Sequence, residues 1–143
     1  MTILDYYQTH AKDFFSQTIN VDMQNVYQPF LENLPSGKQT ILDVGCGSGR
    51  DSIFFSNQGF VVTAIDGSQN LIDLAKQTDT RIDWQCLTFD EIANQNWQSH
   101  FTGVWACASL LHVPFDDLPK ILNDLLSCLK PNGVLYASFK YGD

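Results

Sequence analysis

The sequence predicts an α/β fold: an open, mainly parallel five-stranded sheet with helices on both faces, arranged as a three-layer sandwich. The main observation is an alternation. From residue 40 onward, short apolar and β-branched segments alternate with amphipathic, helix-like segments. Strands and helices that alternate at this spacing form right-handed crossovers, which place parallel strands side by side and helices on their faces. The second observation is the length of 143 residues, which suits one domain.

Composition limits the class of protein. Apolar residues make up 44% and charged residues 17% of the chain, which is typical of a packed core rather than a disordered segment. The net charge of −8 makes the surface repel phosphate backbones, so nucleic acid is not expected as a partner, whereas a cationic ligand is mildly favoured. The longest apolar run, 104–111, is far too short to cross a bilayer. The N-terminus also lacks the basic and then apolar pattern of a secretory signal.

The cysteine pattern indicates a reduced protein without a metal site. The four cysteines are Cys46, Cys86, Cys107 and Cys128, and no two of them form a CxxC pair. Their spacing fits neither a zinc site nor a dense disulfide framework. Three of them lie in apolar runs, where a free thiol packs as a small hydrophobic group. We therefore expect a cytoplasmic protein.

Two helices are predicted before the alternation begins. Residues 4–18 form the first, with aromatic side chains at Tyr7, Phe14 and Phe15. The second begins near Asp22, is kinked or restarted at Pro29, and ends at 35–37. Its apolar stripe has helical spacing and consists of Met23, Val26, Tyr27, Phe30, Leu31 and Leu34.

The alternating part follows a simple order. The strand at 104–109 is apolar throughout, as a parallel strand covered on both faces should be. The helix at 116–129 is the strongest, with Pro119 in its first turn and Asn132-Gly133 closing it. The predicted strands are 40–44, 60–65, 81–87, 104–109 and 134–139, and the helical segments between them are 51–58, 68–77, 90–94 and 116–129.

A glycine-rich turn follows the first strand, where open α/β sheets bind their ligands. In ILDVGCGSGRD (41–51) the glycines are Gly45, Gly47 and Gly49, a GxGxG spacing that differs from the GxGxxG of dinucleotide-binding proteins. Asp43 precedes them, and its carboxylate disfavours a pyrophosphate but suits an ammonium or sulfonium group. The alternative is a tight turn that binds nothing.

A second acidic residue stands at the end of the second strand. Asp66 lies twenty-one residues after Gly45, where a carboxylate can accept hydrogen bonds from both hydroxyls of a ribose. The alternative is a turn or helix-capping role, because Gly67-Ser68 follow directly. The combination of this acid with the glycine turn is more informative than either feature alone.

With these segments in place, the chain resembles the class I S-adenosylmethionine-dependent methyltransferases of the small-molecule type, including the tellurite- and ubiquinone-type branches. The resemblance covers nearly the whole chain and implies a Rossmann-like sheet of order 3-2-1-4-5. The segments that carry it are Tyr6, Tyr7, Ala11 and Phe14 in the leading helix, ILDVGCGSGRD (41–51), Asp66, FTGVWACASLLHVP (101–114) and LKPNGVLYASF (129–139).

The resemblance implies that S-adenosyl-L-methionine is the cofactor and that residues 1–143 form one domain, with lid helices at 1–35 and a Rossmann-like core at 38–143. Asp43 and the turn amides would face the methionine moiety, and Asp66 the ribose. The cofactor-binding residues implied in this way are Tyr7, Asp43, Gly45, Cys46, Gly47, Gly49, Asp66, Gly67, Ser68, Thr88, Phe89, Ala106 and Cys107.

The sequence departs from the family at two places. An Asp after the third strand is common in the family, but Thr88 stands there with Phe89 next, so adenine would depend on backbone groups, stacking or Asp90. Family members also continue past the fifth strand with a helix and two further strands, whereas this sheet is expected to end at its fifth strand. That apolar edge would pair with a second copy, with another chain, or with the rest of a longer protein.

The implied reaction is an in-line displacement that transfers a methyl group to a small-molecule acceptor. His112 follows the fourth strand and is the candidate catalytic base; alternatively it bonds a loop carbonyl and shapes the cleft. A second possibility is a non-catalytic subunit that binds the donor and associates through its fifth strand. A nicotinamide-dependent oxidoreductase is disfavoured by Asp43, by the GxGxG spacing and by the lack of a Tyr-x-x-x-Lys pair placed for hydride chemistry.

Overall fold

The computed structural model describes residues 23–37 and 39–138. The predicted helix at 4–18, Tyr7, and Phe139 at the end of the predicted fifth strand lie outside the described residues. Within them, five strands form one sheet of order β3-β2-β1-β4-β5. All four strand pairings are parallel. The predicted fold class and strand order are confirmed.

The elements follow the predicted sequence of strands and helices. The strands are β1 (Thr40–Val44), β2 (Val61–Asp66), β3 (Asp83–Cys86), β4 (Phe101–Cys107) and β5 (Leu129–Ser138). The α-helices are α1 (Gln24–Asn33), α2 (Arg50–Asn57), α3 (Gln69–Lys76) and α4 (Leu118–Ser127), and short 3₁₀ helices span Phe89–Asn94, Leu110–His112 and Phe115–Asp117.

Alternation along the central strand builds a core on each side of the sheet. In β1, Ile41 and Leu42 are both fully buried but face opposite sides, because successive strand residues point to opposite faces. The first side is covered by α1, α2 and α3, and the second by α4 and the 3₁₀ helix at Phe89–Asn94. Helices therefore cover both faces and give the expected three layers.

Helix α1 packs closely against the backbone of β4. A Cβ placed on Gly103 would lie 2.6 Å from Cζ of Phe30, so only a glycine lets this ring lie on the strand. The helix runs without a restart through Pro29, whose carbonyl accepts a hydrogen bond from the side chain of Asn33 at 2.6 Å. Of the kink or restart predicted at Pro29, the restart is wrong, since one continuous helix spans that residue.

The passage from α4 to β5 differs from the prediction. Asn132-Gly133 does not close a helix: α4 ends at Ser127, and both residues lie within β5. Leu129 pairs with Phe101, but the next paired residues are Val134 and Gly103, so the intervening residues of β5 bulge out of the ladder. Asn132 has φ 67°, a value that Asn tolerates, so the pair serves as the turn of the bulge.

Candidate functional site

The site lies where the carboxyl ends of β1, β2 and β4 meet. The strand order reverses at β1, because β2 and β4 flank it on opposite sides, and this arrangement opens a crevice at the strand ends. The turn at 45–49 leads from β1 into α2. Its glycines Gly45, Gly47 and Gly49 have φ values of 75°, 56° and 87°, which side-chain-bearing residues rarely adopt.

Two of these glycines are also required by close contacts. A Cβ on Gly45 would lie 2.4 Å from Cβ of Ser109, and one on Gly49 would lie 2.6 Å from the ring of Trp84. The turn is thus wedged between the segment that follows β4 and a side chain of β3. Ser109 is only 6% exposed, and its hydroxyl has no hydrogen-bond partner among the described residues.

Most amides of the turn are already bonded to the protein. The N–H groups of Gly45 and Cys46 donate to the carbonyl of Ile65 at 2.9 and 2.8 Å, and that of Gly49 donates to the carbonyl of Cys46 at 2.9 Å. The Gly47 N–H donates to Oδ2 of Asp66 at 2.9 Å. The resemblance placed these amides toward the donor, but the structure uses these four internally. The turn would therefore admit a ligand by close approach of its backbone.

Asp66 joins β2 to the glycine turn. Its Oδ2 accepts from Gly47 and its Oδ1 accepts from the N–H of Ser68 at 2.9 Å, so both oxygens have fixed directions. Burial raises the pKa of this carboxyl, and the two backbone hydrogen bonds act in the opposite direction. Each oxygen keeps lone-pair capacity for a further donor, such as a ribose hydroxyl.

Asp43 lies beneath the turn rather than in the crevice. It is 2% exposed, and its Oδ2 accepts a hydrogen bond from the hydroxyl of Ser52 at 2.6 Å. Burial raises its pKa well above the usual value, and the nearby charge of Asp51 adds to the effect. At this depth the carboxyl is shielded from water, and burial favours its uncharged form.

A buried network around Asp51 was not foreseen from the sequence. Its Oδ1 accepts from the hydroxyl of Tyr27 at 2.6 Å and from Nε of Arg50 at 2.8 Å. Its Oδ2 accepts from Nε1 of Trp105 at 2.8 Å and from Nη2 of Arg50 at 3.1 Å. One carboxylate thus joins α1, α2 and β4. The one local sequence signal for this network is an acidic residue beside an arginine in the first turn of a helix. The other two partners of Asp51, Tyr27 and Trp105, are distant in sequence.

His112 lies near enough to Asp66 for the two side chains to interact electrostatically. It ends the 3₁₀ helix at Leu110–His112, and its side chain is partly buried. Burial lowers the pKa of His112 below its usual value, whereas the Asp66 carboxylate acts to raise it. The imidazole is therefore neutral near pH 7 and able to accept a proton.

The side chains of the other residues predicted for the site make contacts within the protein. The side chains of Cys46 and Ala106 are buried in the two cores. Ser68 caps α3 by accepting from the N–H of Leu71. Thr88 caps the 3₁₀ helix at Phe89–Asn94, and Phe89 packs against the second core. The thiol of Cys86 contacts the carbonyl of Gly67 at 3.6 Å, and that of Cys107 lies 3.6 Å from Oγ of Ser138.

Comparison with known proteins agrees with this geometry. The family described as "Methyltransferase domain" matches residues 41–133, which include the turn, Asp66 and His112. The chain belongs to this methyltransferase family. The resemblance to the class I enzymes that the sequence displayed is therefore confirmed. Among curated relatives, the ubiquinone biosynthesis O-methyltransferase of Coxiella burnetii is 36% identical over 103 residues, which cover 68% of this chain and 42% of that protein.

Solved structures share the fold of this methyltransferase domain. The DhpI-SAM-HEP complex has a TM-score of 0.69 at 23% identity and covers 92% of this chain and 61% of its own. The [4+2]-cyclase SpnF has a TM-score of 0.72 at 20% identity and covers 93% of this chain and 57% of its own. At such identities the likeness establishes the fold alone. The chain spans about half the length of the curated relatives it matches.

The residues of the crevice fit S-adenosylmethionine. The turn at 45–49 lies at the carboxyl end of β1, beside Asp66, which is where a sheet of this topology binds its ligand. The two oxygens of Asp66 have fixed directions beside the turn, which suits a ribose diol better than a pyrophosphate. The unpartnered hydroxyl of Ser109 adds a polar atom beside the turn that lacks a partner in the described protein. No group of side chains that could hold a metal ion occurs among the residues the structure describes.

Proposed function

We propose that this chain is the donor-binding domain of an S-adenosylmethionine-dependent methyltransferase that acts on a small-molecule acceptor. The observation that carries the proposal is the Asp66 carboxylate, fixed by two backbone N–H groups beside a glycine turn that no side chain could occupy. Family membership and the curated relatives support the same activity.

The proposed donor site follows the resemblance residue by residue. Asp66 would accept from the ribose hydroxyls, Gly67 and Ser68 would line the nucleoside pocket, and Thr88 and Phe89 would border adenine. The remaining contacts would come from Tyr7, the turn at 45–49, and the backbone of Ala106 and Cys107. When bound, S-adenosylmethionine supplies an activated methyl group, so the protein has to align the acceptor and exclude water.

Exposed apolar side chains flank His112 in the chain, so we propose that the acceptor binds on this side of the crevice. His112 lies between Leu111, which is 39% exposed, and Phe115, which is 87% exposed at the start of the next 3₁₀ helix. We propose that these apolar side chains receive the acceptor's carbon skeleton and that His112 takes the proton of its attacking group. The match to relatives named ubiquinone biosynthesis O-methyltransferase suits an acceptor whose nucleophile is a hydroxyl.

The proposal includes the domain organisation, the location and the assembly of the protein. Residues 1–143 would form one domain with lid helices at 1–35 and a Rossmann-like core at 38–143. No described helix is long and apolar enough to cross a membrane. We also propose a cytoplasmic location and a homodimer through β5, because β5 forms one edge of the described sheet.

Calorimetry with three ligands tests donor binding. We expect S-adenosylmethionine and S-adenosylhomocysteine to bind and NADH not to bind. Asp66→Asn should weaken both nucleosides about ten- to a hundred-fold, because it removes a charged hydrogen-bond acceptor. Asp73→Asn is the matched control, since Asp73 is exposed on α3 and bonds only to Gln69 among the described residues. Tight binding of NADH without binding of either nucleoside would refute the proposal.

The second candidate is a donor-binding subunit without activity of its own. The unpaired side of β5 favours it, since a ten-residue strand at a sheet edge offers its backbone groups to another chain. A screen of phenolic, thiol and amine acceptors, run with light scattering for the oligomeric state, separates the candidates. Product from any acceptor supports the enzyme, whereas tight donor binding without product supports the subunit.

A further inference from the structure

Arg50 is held in one orientation by the buried Asp51 network. It is the first residue of α2, and its Nε and Nη2 donate to the two oxygens of Asp51 at 2.8 and 3.1 Å. Those oxygens also accept from Tyr27 and Trp105, so the carboxylate cannot rotate without breaking bonds to two other elements. The guanidinium is thereby fixed before any ligand arrives.

Only part of the guanidinium is used by this pair. A guanidinium carries five N–H donors, of which Asp51 takes two. The guanidinium also hydrogen-bonds to the side chain of Tyr27, and its remaining N–H groups bond to no other described residue. Nη1 and Nη2 together present the planar, two-pronged edge that matches a carboxylate. The Arg50 side chain as a whole is 20% exposed, so most of it is shielded from water.

The neighbours of Arg50 place it at the crevice. Its charge acts on Cys107 at the end of β4 and on Asp43 at the end of β1. Burial acts to lower the pKa of Arg50, but its hydrogen bonds to Asp51 outweigh burial and raise the pKa above the usual value. Among the described residues, every other Lys and Arg is exposed, so Arg50 is the one cation there that is shielded from water.

We propose that Arg50 is the carboxylate-binding residue of this cleft, with Asp51, Tyr27 and Trp105 acting as positioning residues that hold it. A carboxylate could come from the amino-acid part of the donor or from the acceptor. The first source rests on the proposed function, whereas the second does not require the donor to be S-adenosylmethionine. The chain is acidic overall, so the fixed guanidinium of Arg50 is the feature that lets this crevice bind an anionic group.

The test measures selectivity for a carboxylate and not only affinity. In the donor arm, calorimetry compares S-adenosylhomocysteine with its decarboxylated analogue, which keeps the ammonium group. In the acceptor arm it compares benzoate with benzamide, with S-adenosylhomocysteine present at saturation. Each comparison is made on the wild type, Arg50→Gln, Arg50→Lys and the control Arg81→Gln, whose arginine is exposed and paired with Asp79.

The wild type should prefer the carboxylate in one of the arms by about ten- to a hundred-fold, as a charge-assisted hydrogen bond would give. Arg50→Gln should abolish this preference, Arg50→Lys should keep part of it, and Arg81→Gln should leave it unchanged. A purely structural Arg50 would lower affinity for both members of each pair equally. The inference would be overturned if Arg50→Gln kept the wild-type preference for the carboxylate in both arms. If Arg50→Gln does not fold, the same result for Arg50→Lys would overturn it. If S-adenosylhomocysteine does not bind the wild type, the proposed function fails, while benzoate and benzamide without it still test Arg50.

Discussion

Substituting Gly45 by alanine tests whether the turn is wedged against the segment after β4. The new Cβ would lie 2.4 Å from Cβ of Ser109 and 3.1 Å from its Oγ. Both distances are shorter than ordinary van der Waals contact, so the turn or the segment at Ser109 must shift. The same substitution places a side chain on a residue with φ 75°.

The expected loss of stability combines two terms. The left-handed backbone conformation costs about 1–2 kcal/mol for a residue with a Cβ. The steric overlap adds about 1–3 kcal/mol, which is typical of overpacking in a rigid site. The sum of about 2–5 kcal/mol is a large part of the roughly 5–15 kcal/mol that stabilises an ordinary domain. Donor affinity should fall as well, because the turn would move away from the crevice.

A double-mutant cycle in urea separates these terms. Ser109→Gly removes the Cβ and Oγ that the new methyl group would meet, so it should recover about 1–3 kcal/mol of the loss and leave the backbone term. Ser109→Ala is the matched control, because it keeps the Cβ at 2.4 Å and should recover nothing from the overlap. Equal recovery by both substitutions, or none by glycine, would refute the steric argument.

Three further predictions concern the titratable groups. If His112 is the base, the rate of methyl transfer should rise with pH through an apparent pKa below 6.5, because burial lowers the pKa of His112. His112→Gln should lower that rate about 10²–10⁴-fold and abolish its rise with pH. An unchanged pH profile in the variant would exclude the role. Tyr27→Phe should destabilise the fold by about 1.5–3 kcal/mol, because a buried carboxylate loses a donor. The control Tyr136→Phe should change the free energy of unfolding by no more than about 0.5 kcal/mol, since that hydroxyl bonds to no described residue. Equal losses for the two variants in denaturant unfolding would contradict the role of the Asp51 network. Because the folded-state pKa of Asp43 is raised, its contribution to stability is fully present below the unfolded value of about 3.9 and is lost as the pH rises through the folded value. The free energy of unfolding of the wild type minus that of Asp43→Asn, measured at a series of pH values, should decrease in that range. A difference that does not change with pH would contradict the prediction.

Local sequence signals were sufficient for the strands of the sheet. The β-branched and apolar runs located all five strands, whereas the strand order was implied by the resemblance to the class I methyltransferases. The helix predicted at 68–77 is confirmed with Ser68 as its cap, because a helix cap depends on residues three positions apart. Element ends were less predictable: β4 begins at Phe101 rather than at 104, since a polar Thr102 and Gly103 mask its start.

The parts of the site that the sequence did not reveal depend on distant residues. Nothing local indicates that Asp51 meets Tyr27 and Trp105, which are twenty-four and fifty-four positions away. The contact between Gly45 and Ser109 likewise joins segments after different strands. Asn132-Gly133 has the composition of a helix end, and only pairing with β4 makes it a bulge. Long-range packing decided each of these cases.

The seating of α1 limits which part of the protein can act as a gate. The ring of Phe30 rests on the bare backbone at Gly103, and the hydroxyl of Tyr27 is committed to a buried anion. Swinging this helix outward would leave a charge without its donor and open a void over β4, so α1 must travel with the sheet as one rigid body. Amide hydrogen exchange in α1 should accordingly be as slow as in the central strands, so the α1 part of the proposed lid at 1–35 covers the sheet without opening.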